Sequence, residues 1–315
     1  MSNCHNLFQQ FNDEISIPGA KRARMTKSKT GLRDAIRAHF KEHHSGYTPL
    51  FFIQGSDKMK TGIRTKDDIC DLDDGVYFMR EPDVSAATLQ GWVRDAVAGY
   101  TNTPPQHKEM CVRSIFAGDY EVDHPVYYKV DGKPYQIATK TNGWRSDDPK
   151  EMVDWFVSKK DQEGHLIFIV KCLKAWGDYK RNQMPPGLAM TILAAWAKEK
   201  FFYNDRDDIN LTDTLREIKK ALQMNFSCVV PAIPNDDLFA DYDPIRQKNF
   251  MTALDDFLED AELALKEKNQ LKASQLWRKH LGDRFPEGED KDENENAFDT
   301  IITGAKTANP YAYKG

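Results

Sequence analysis

The stretch Asp71-Leu-Asp-Asp-Gly-Val-Tyr-Phe78 constrains this chain more than any other, because it sets acids into what otherwise reads as a buried β-strand. In a strand, residues two apart project to one face. Asp71 and Asp73 therefore aim at the same point, while Leu72 and Asp74 point away. Two carboxylates held so close repel unless a cation lies between them. Hard oxygen ligands in that arrangement suit magnesium or manganese, above all when phosphate oxygens complete the shell. A calcium loop begun at Asp71 would need glycine at its sixth position and glutamate at its twelfth. Here Gly75 comes fifth and Pro82 twelfth, so that alternative fails. An ordinary surface turn also fits poorly, since Val76-Tyr77-Phe78 continues an apolar strand directly from the acids.

A two-metal site that activates a hydroxyl and stabilises a departing pyrophosphate calls for a third carboxylate. Glu121 and Asp123, within Asp119-Tyr-Glu-Val-Asp-His-Pro-Val-Tyr-Tyr128, are the candidates, and residue physics alone leaves the choice even. Gly55-Ser56 follows a short apolar run, Phe51-Phe52-Ile53. A strand leading into Gly-Ser and then a helix presents backbone N–H groups and a hydroxyl to phosphate oxygens. Lys58 and Lys60 are nearby cations. No Gly-x-x-x-x-Gly-Lys-Ser/Thr sequence occurs, which excludes a Walker-type ATPase. Lys171 and Lys174 stand on one helical face, either to reach a triphosphate or as a solvated flank. The basic run Lys21 to Lys29 poses the same choice between phosphate binding and a solvated flank. The histidines offer no catalytic base; His124 packs beside the acids, and Cys70 reads as a small buried residue.

At 315 residues the chain has room for one large domain or two closely packed ones. Its 40% hydrophobic and 30% charged content is that of a globular protein, and no apolar run reaches the length of a bilayer span. Met1-Ser-Asn-Cys-His5 lacks the layout of a secretory signal, so a cytoplasmic location is expected. The five cysteines are scattered without zinc-ligand spacing, which predicts reduced thiols and no structural zinc. A net charge of −5 does not indicate a strongly basic surface for a long nucleic acid.

Leu32, Ile36 and Phe40 predict an amphipathic helix from about Thr26 to His43. Strands are predicted over 49–54, 71–78, 110–116 and 120–130, with helices from 149 onward. The expected division is a core over 1–148 with a long N-terminal helix, a helical lobe over 149–286, and a flexible charged tail over 287–315.

These residues resemble the bacterial cGAS/DncV-like nucleotidyltransferases, the CD-NTases of CBASS antiphage systems. The resemblance is carried by Gln54-Gly-Ser56, Asp68-Ile-Cys-Asp71-Leu-Asp73-Asp-Gly-Val-Tyr77 and Asp119-Tyr-Glu-Val-Asp123-His-Pro-Val-Tyr-Tyr128. It continues through Phe8-Gln-Gln-Phe11, Cys111-Val-Arg-Ser-Ile115, Trp144-Arg-Ser-Asp-Asp-Pro149, Val170-Lys-Cys-Leu-Lys-Ala-Trp176 and Ala273-Ser-Gln-Leu-Trp277 to Phe285. It implies an α+β fold, a polymerase-β-like core joined to a C-terminal helical lobe, with the active site in the cleft between them. It also implies that Gln54, Gly55 and Ser56 contact nucleotide, that Asp71, Asp73 and Asp123 ligate two Mg²⁺ or Mn²⁺ ions, and that Lys171 and Lys174 hold the triphosphate. Asp123 thereby takes precedence over Glu121. Two departures, Asp57 and Lys60, fall within the phosphate loop.

The activity so implied is synthesis of a cyclic di- or trinucleotide from NTPs, ATP and GTP being favoured, with release of pyrophosphate and activation of a downstream effector. Some members of the family end in a tail joined to other proteins by a ubiquitin-transferase-like E1-E2 partner, which makes Gly315 a conjugation site to test. Two readings compete. A template-independent RNA or tRNA nucleotidyltransferase shares the chemistry but calls for a more basic surface. A catalytically inactive nucleotide or RNA sensor would not need all three carboxylates.

Overall fold

The computed structural model describes residues 2–292, so Gly315 and most of the predicted tail lie outside the described residues. Along the chain run α1 (His5–Ile15), α2 (Gly19–His43), β1 (Leu50–Ile53), α3 (Gly55–Met59), β2 (Cys70–Phe78) and α4 (Ala86–Val97). Strands β3 (Gln106–His107), β4 (Val112–Phe116), β5 (Tyr120–His124), β6 (Val126–Tyr128), β7 (Gln136–Thr139) and β8 (Gly143–Ser146) follow. Helices α5 (Pro149–Lys159), α6 (His165–Lys180), α7 (Gly187–Lys198), α8 (Asp207–Met224), α9 (Pro244–Lys266) and α10 (Gln270–Leu281) complete the described residues. The fold is α+β, as the resemblance implied, and it divides into two compact units.

The first unit, residues 17–157 with 230–236, is built on a mixed sheet in the order β3-β4-β5-β2-β6-β7-β8, with β1 pairing antiparallel to β2. The predicted strand 120–130 is two strands, because Pro125 has no N–H to give a ladder. Its carbonyl instead accepts from Val76 N–H at 2.8 Å. The acid-bearing half of β2 pairs parallel with β5, and its apolar half pairs parallel with β6. Leu72, Val76 and Phe78 on one face of β2 pack with Leu32, Ile36 and Phe40 of α2 and Leu89 and Val93 of α4.

Helix α2 starts seven residues earlier than its apolar pattern predicts. Its buried face runs Lys21, Met25, Lys29, Leu32, so two lysines interrupt the period at its beginning. Lys21 reaches Asp68 at 3.1 Å and Asp119 at 3.2 Å, Arg24 binds Asp119, and Arg22 binds Asp57 at 3.0 Å. Within the Lys21–Lys29 run, the leading cations are thus engaged by carboxylates of the same unit.

The second unit comprises residues 1–16, 158–229 and 237 onward, described to Asp292. It is helical, with α6 buried through Leu166, Ile169, Val170, Leu173 and Trp176. Here the division differs from the expected core over 1–148, because α1 belongs with the helices. Phe8 packs edge-on against Trp277 at 4.9 Å, Phe285 at 4.8 Å and Phe168 at 6.3 Å, an aromatic cluster that outweighs sequence proximity to α2. Of the expected tail from 287, the part described to Asp292 is hydrogen-bonded to α10 and the turn before it. Leu271 N–H donates to the Glu289 carbonyl at 2.9 Å, Gly288 N–H to Ser274 Oγ at 2.9 Å, and Asn269 Nδ2 to Asp290 at 2.8 Å. With Gln270 N–H, which donates to the Lys291 carbonyl at 3.2 Å, the Leu271 bond satisfies part of the open N-terminal turn of α10. All five cysteines are buried thiols outside any disulfide, and no described helix is long and apolar enough to cross a membrane.

Candidate active site

Strand pairing assembles the acids. In the parallel register of β2 and β5, Asp71 lies beside Glu121 and Asp73 beside Asp123. Register partners on neighbouring strands share a face, so four carboxylates crowd one patch of sheet. Asp74 points to the opposite face, as expected, where it is fully buried and held by Arg33 of α2. Behind the acids, His124 is fully buried and bonded through Nδ1 to the Asp74 carbonyl at 3.2 Å. Burial lowers its pKa and keeps the ring neutral, and with no exposed surface it packs in the core rather than meeting a substrate.

The Gly55–Ser56 loop adjoins this patch. Gly55 has φ +59°, and a Cβ there would come 2.0 Å from Asp73 Oδ2, so only glycine brings the backbone this near to the carboxylate. Gln54 N–H donates to the Asp73 carbonyl at 3.2 Å, and Thr61 N–H closes the turn onto the Ser56 carbonyl at 2.9 Å. The Gln54 side chain is turned inward. It accepts from Tyr77 Oη at 2.6 Å and donates to Tyr127 Oη at 3.3 Å, which anchors the loop to two stacked rings. A cavity of about 500 Å³ beside β1, lined by Arg33, Phe52, Gln54, Lys58 and Lys150 among others, includes none of the three aspartates.

Arg113 on β4 was not singled out from the sequence, yet it is central here. It lies directly opposite Asp123 in the antiparallel β4–β5 ladder. Its Nε and Nη2 donate to the two Asp123 oxygens at 2.7 Å each; Nη1 binds Glu121, and Asp71 is 3.8 Å away. The bonds to Asp123 raise its pKa further, so it is a fixed cation. The predicted strand pair flanking Gly118 carried the signal: a hairpin about that turn sets residue 113 across from 123.

Loss of solvation raises the Asp71 pKa; Arg113 opposes that rise, and Asp123 and Glu121 add to it. The Asp71 side chain is still 59% exposed, so solvent screening leaves little stored free energy in the shift. Cys111 is pushed up to about 12 by burial and by Asp123, which leaves it a thiol and not a nucleophile. Four hard oxygen donors facing one guanidinium leave excess negative charge, a donor set suited to Mg²⁺ or Mn²⁺.

Lys171 and Lys174 lie on α6 in the helical unit. Lys171 Nζ donates to Ser16 Oγ at 3.0 Å and Asn12 Oδ1 at 3.3 Å at the end of α1, and the Lys174 stem lies over Gly187. A second cluster, Asp161, Glu163 and His165, brings three ligand-type atoms within 4.8 Å of one another. Both Asp161 oxygens, however, accept from backbone: Oδ1 from His165 N–H at 2.8 Å and Oδ2 from Leu166 N–H at 2.9 Å. That carboxylate caps α6, whose N-cap residue, Gly164, has no side chain to do so.

Residues 49–127 match the family model described as the nucleotidyltransferase domain of DncV-like cyclic GMP-AMP synthases. A cyclic GMP-AMP synthase of Escherichia albertii is 31% identical over 162 residues, a stretch covering 46% of this chain and only 36% of that relative. Among solved structures, Vibrio cholerae DncV with nonhydrolyzable GTP superposes with a TM-score of 0.80 at 17% identity, covering 90% of this chain and 97% of that one. The same enzyme with the linear intermediate 5′ pppA(3′,5′)pG gives 0.78 at 17% identity, covering 90% and 96%. Escherichia coli DncV bound to 3′-deoxy GTP gives 0.75 at 16% identity, covering 86% and 93%. At such identities these structures establish the shared fold.

Proposed function

We propose that this chain, which carries a DncV-like nucleotidyltransferase domain over residues 49–127, is a metal-dependent synthase of a cyclic di- or trinucleotide from NTPs, ATP and GTP first among them. The observation that carries the reading is the β2–β5 register, which gathers Asp71, Asp73 and Asp123 on one face beside Gly55. Asp71, Asp73 and Asp123 would hold two Mg²⁺ or Mn²⁺ ions. Bound there, such ions polarise the reacting phosphate, lower the pKa of the attacking hydroxyl and neutralise the leaving group.

The residues do the remaining work. Asp123 orients the acceptor ribose hydroxyl and takes up its proton. That oxygen attacks the donor α-phosphate in line, the α–β phosphoanhydride bond breaks, and pyrophosphate departs. The Ser56 hydroxyl and the loop N–H groups receive the terminal phosphates, with Lys171 and Lys174 as further triphosphate contacts. A second round closes the ring. The product would serve as the signal for an antiphage effector, as the family resemblance implies.

The test is incubation of the full chain with Mg²⁺ or Mn²⁺ and labelled ATP, GTP, CTP and UTP. A phosphatase-resistant cyclic product is expected. A lengthened RNA primer would instead support a template-independent RNA nucleotidyltransferase, and no product under any mixture would support a nucleotide sensor.

A further inference from the structure

The carboxylate face holds two features that the proposed reaction leaves unused: a fourth acid, Glu121, and the guanidinium of Arg113. Both are poorly exposed, Arg113 at 19% and Glu121 at 21%. A residue so placed, with hydrogen bonds to Glu121 and Asp123 and a distance of 3.8 Å to Asp71, is not a solvated surface charge. Resting on the metal site proposed above, we propose that Arg113 is a tethered counter-cation that competes with divalent ions for Asp123 and shifts its weight onto Glu121 when they bind. It thereby sets the threshold for metal loading.

The geometry supports competition over passive support. A carboxylate in a bidentate fork has one lone pair on each oxygen committed to the guanidinium. A divalent ion at the remaining lone pairs of Asp123 would face a full positive charge a few ångströms away, in a partly desolvated patch where screening is weak. Departure of Arg113 into solvent would instead give up its bonds to Glu121 as well as those to Asp123. Glu121 removes that difficulty. It lies two residues from Asp123 on the same face of β5 and is already in contact with Nη1. The guanidinium can yield Asp123 and keep Glu121. This assigns a role to the acid that competed with Asp123 as the third ligand: it is the seat for the arginine.

The opposite role, a positioning residue that holds Asp123 ready for metal, makes the reverse prediction for metal affinity. Mn²⁺ binding to the full chain without nucleotide, followed by electron paramagnetic resonance, separates them. Arg113→Gln should bind Mn²⁺ at least about ten-fold more tightly than wild type, because a unit charge is removed from beside the ions. Glu121→Gln should bind more weakly than wild type, and its effect should shrink when Arg113→Gln is also present, since Glu121 acts through Arg113. If Arg113→Gln fails to fold, Arg113→Lys keeps the charge but loses the fork, and a smaller gain is expected. Unchanged or weaker Mn²⁺ binding by a folded Arg113 variant overturns the inference while wild-type binding leaves the metal site standing. Absence of Mn²⁺ binding by wild type, with or without nucleotide, would overturn both.

Discussion

The two acidic clusters are made of the same residue types and behave in opposite ways. On β2 and β5 the Asp71 pKa is raised by loss of solvation against neighbouring carboxylates, and Arg113 only partly offsets this. In the α5–α6 connection burial alone would raise Asp161, yet hydrogen bonds from His165 and from backbone N–H groups hold it well below the ordinary carboxylate range. One cluster concentrates charge that a metal ion would relieve, while the other has spent its oxygens on capping a helix. Proximity of ligand-type atoms therefore says little until each oxygen's partner is known.

The largest expected effect separates the clusters by activity. Replacing Asp71 and Asp73 together with alanine should lower nucleotide synthesis by at least about a thousand-fold, since the proposed metal ions would lose their anchors. Circular dichroism should show the fold retained. Their neighbour Asp74 should respond differently. Asp74→Ala strands Arg33 against the core, and a loss of about 3–5 kcal/mol is expected in chemical denaturation. A stability cost equal to that of Asp73→Ala would contradict the two-faced reading of β2.

Gly55→Ala tests the link between loop and acids. A left-handed alanine costs about 1–2 kcal/mol, and its methyl group would displace the Asp73 carboxylate, so activity should fall more steeply than stability. Asp161→Ala should show the reverse pattern: about 1–2 kcal/mol of lost stability, as for a lost helix cap, with turnover per folded molecule kept.

The smallest effect is in pH. His165 is raised by its bond to Asp161, so its contribution is complete below the unfolded histidine value of about 6.5 and is lost as pH rises through the folded value. Asp161 is lowered, so its contribution is present above the unfolded value of about 3.9 and is lost as pH falls through the folded one. The melting-temperature difference between wild type and Asp161→Asn should therefore peak between those limits. A flat difference from pH 4 to 9 would remove the ion pair from the account.

The acid pair was legible because strand periodicity is local: Asp71 and Asp73 share a face wherever β2 lies. Asp74 was legible for the same reason. Glu121 and Asp123 were not separable, because both lie on the same face of β5 and both contact Arg113. Arg113 itself depended on pairing between strands, which composition does not report. The division at α1 was missed because Phe8 and Phe11 find their partners near residues 168, 277 and 285, far along the chain. Gln54 read as a nucleotide contact through the family resemblance alone; its burial against Tyr77 and Tyr127 became visible only once β1, β2 and β6 were side by side.

The central claim is that the strand acids, and not the helix-capping acids, run nucleotidyl transfer. Its most direct test compares wild type, Asp71→Asn/Asp73→Asn and Asp161→Asn for phosphatase-resistant product from labelled NTPs with Mg²⁺, at equal folded concentration. The account predicts product from wild type and Asp161→Asn and none from the double variant. Product from the double variant, or its loss in folded Asp161→Asn, would contradict it.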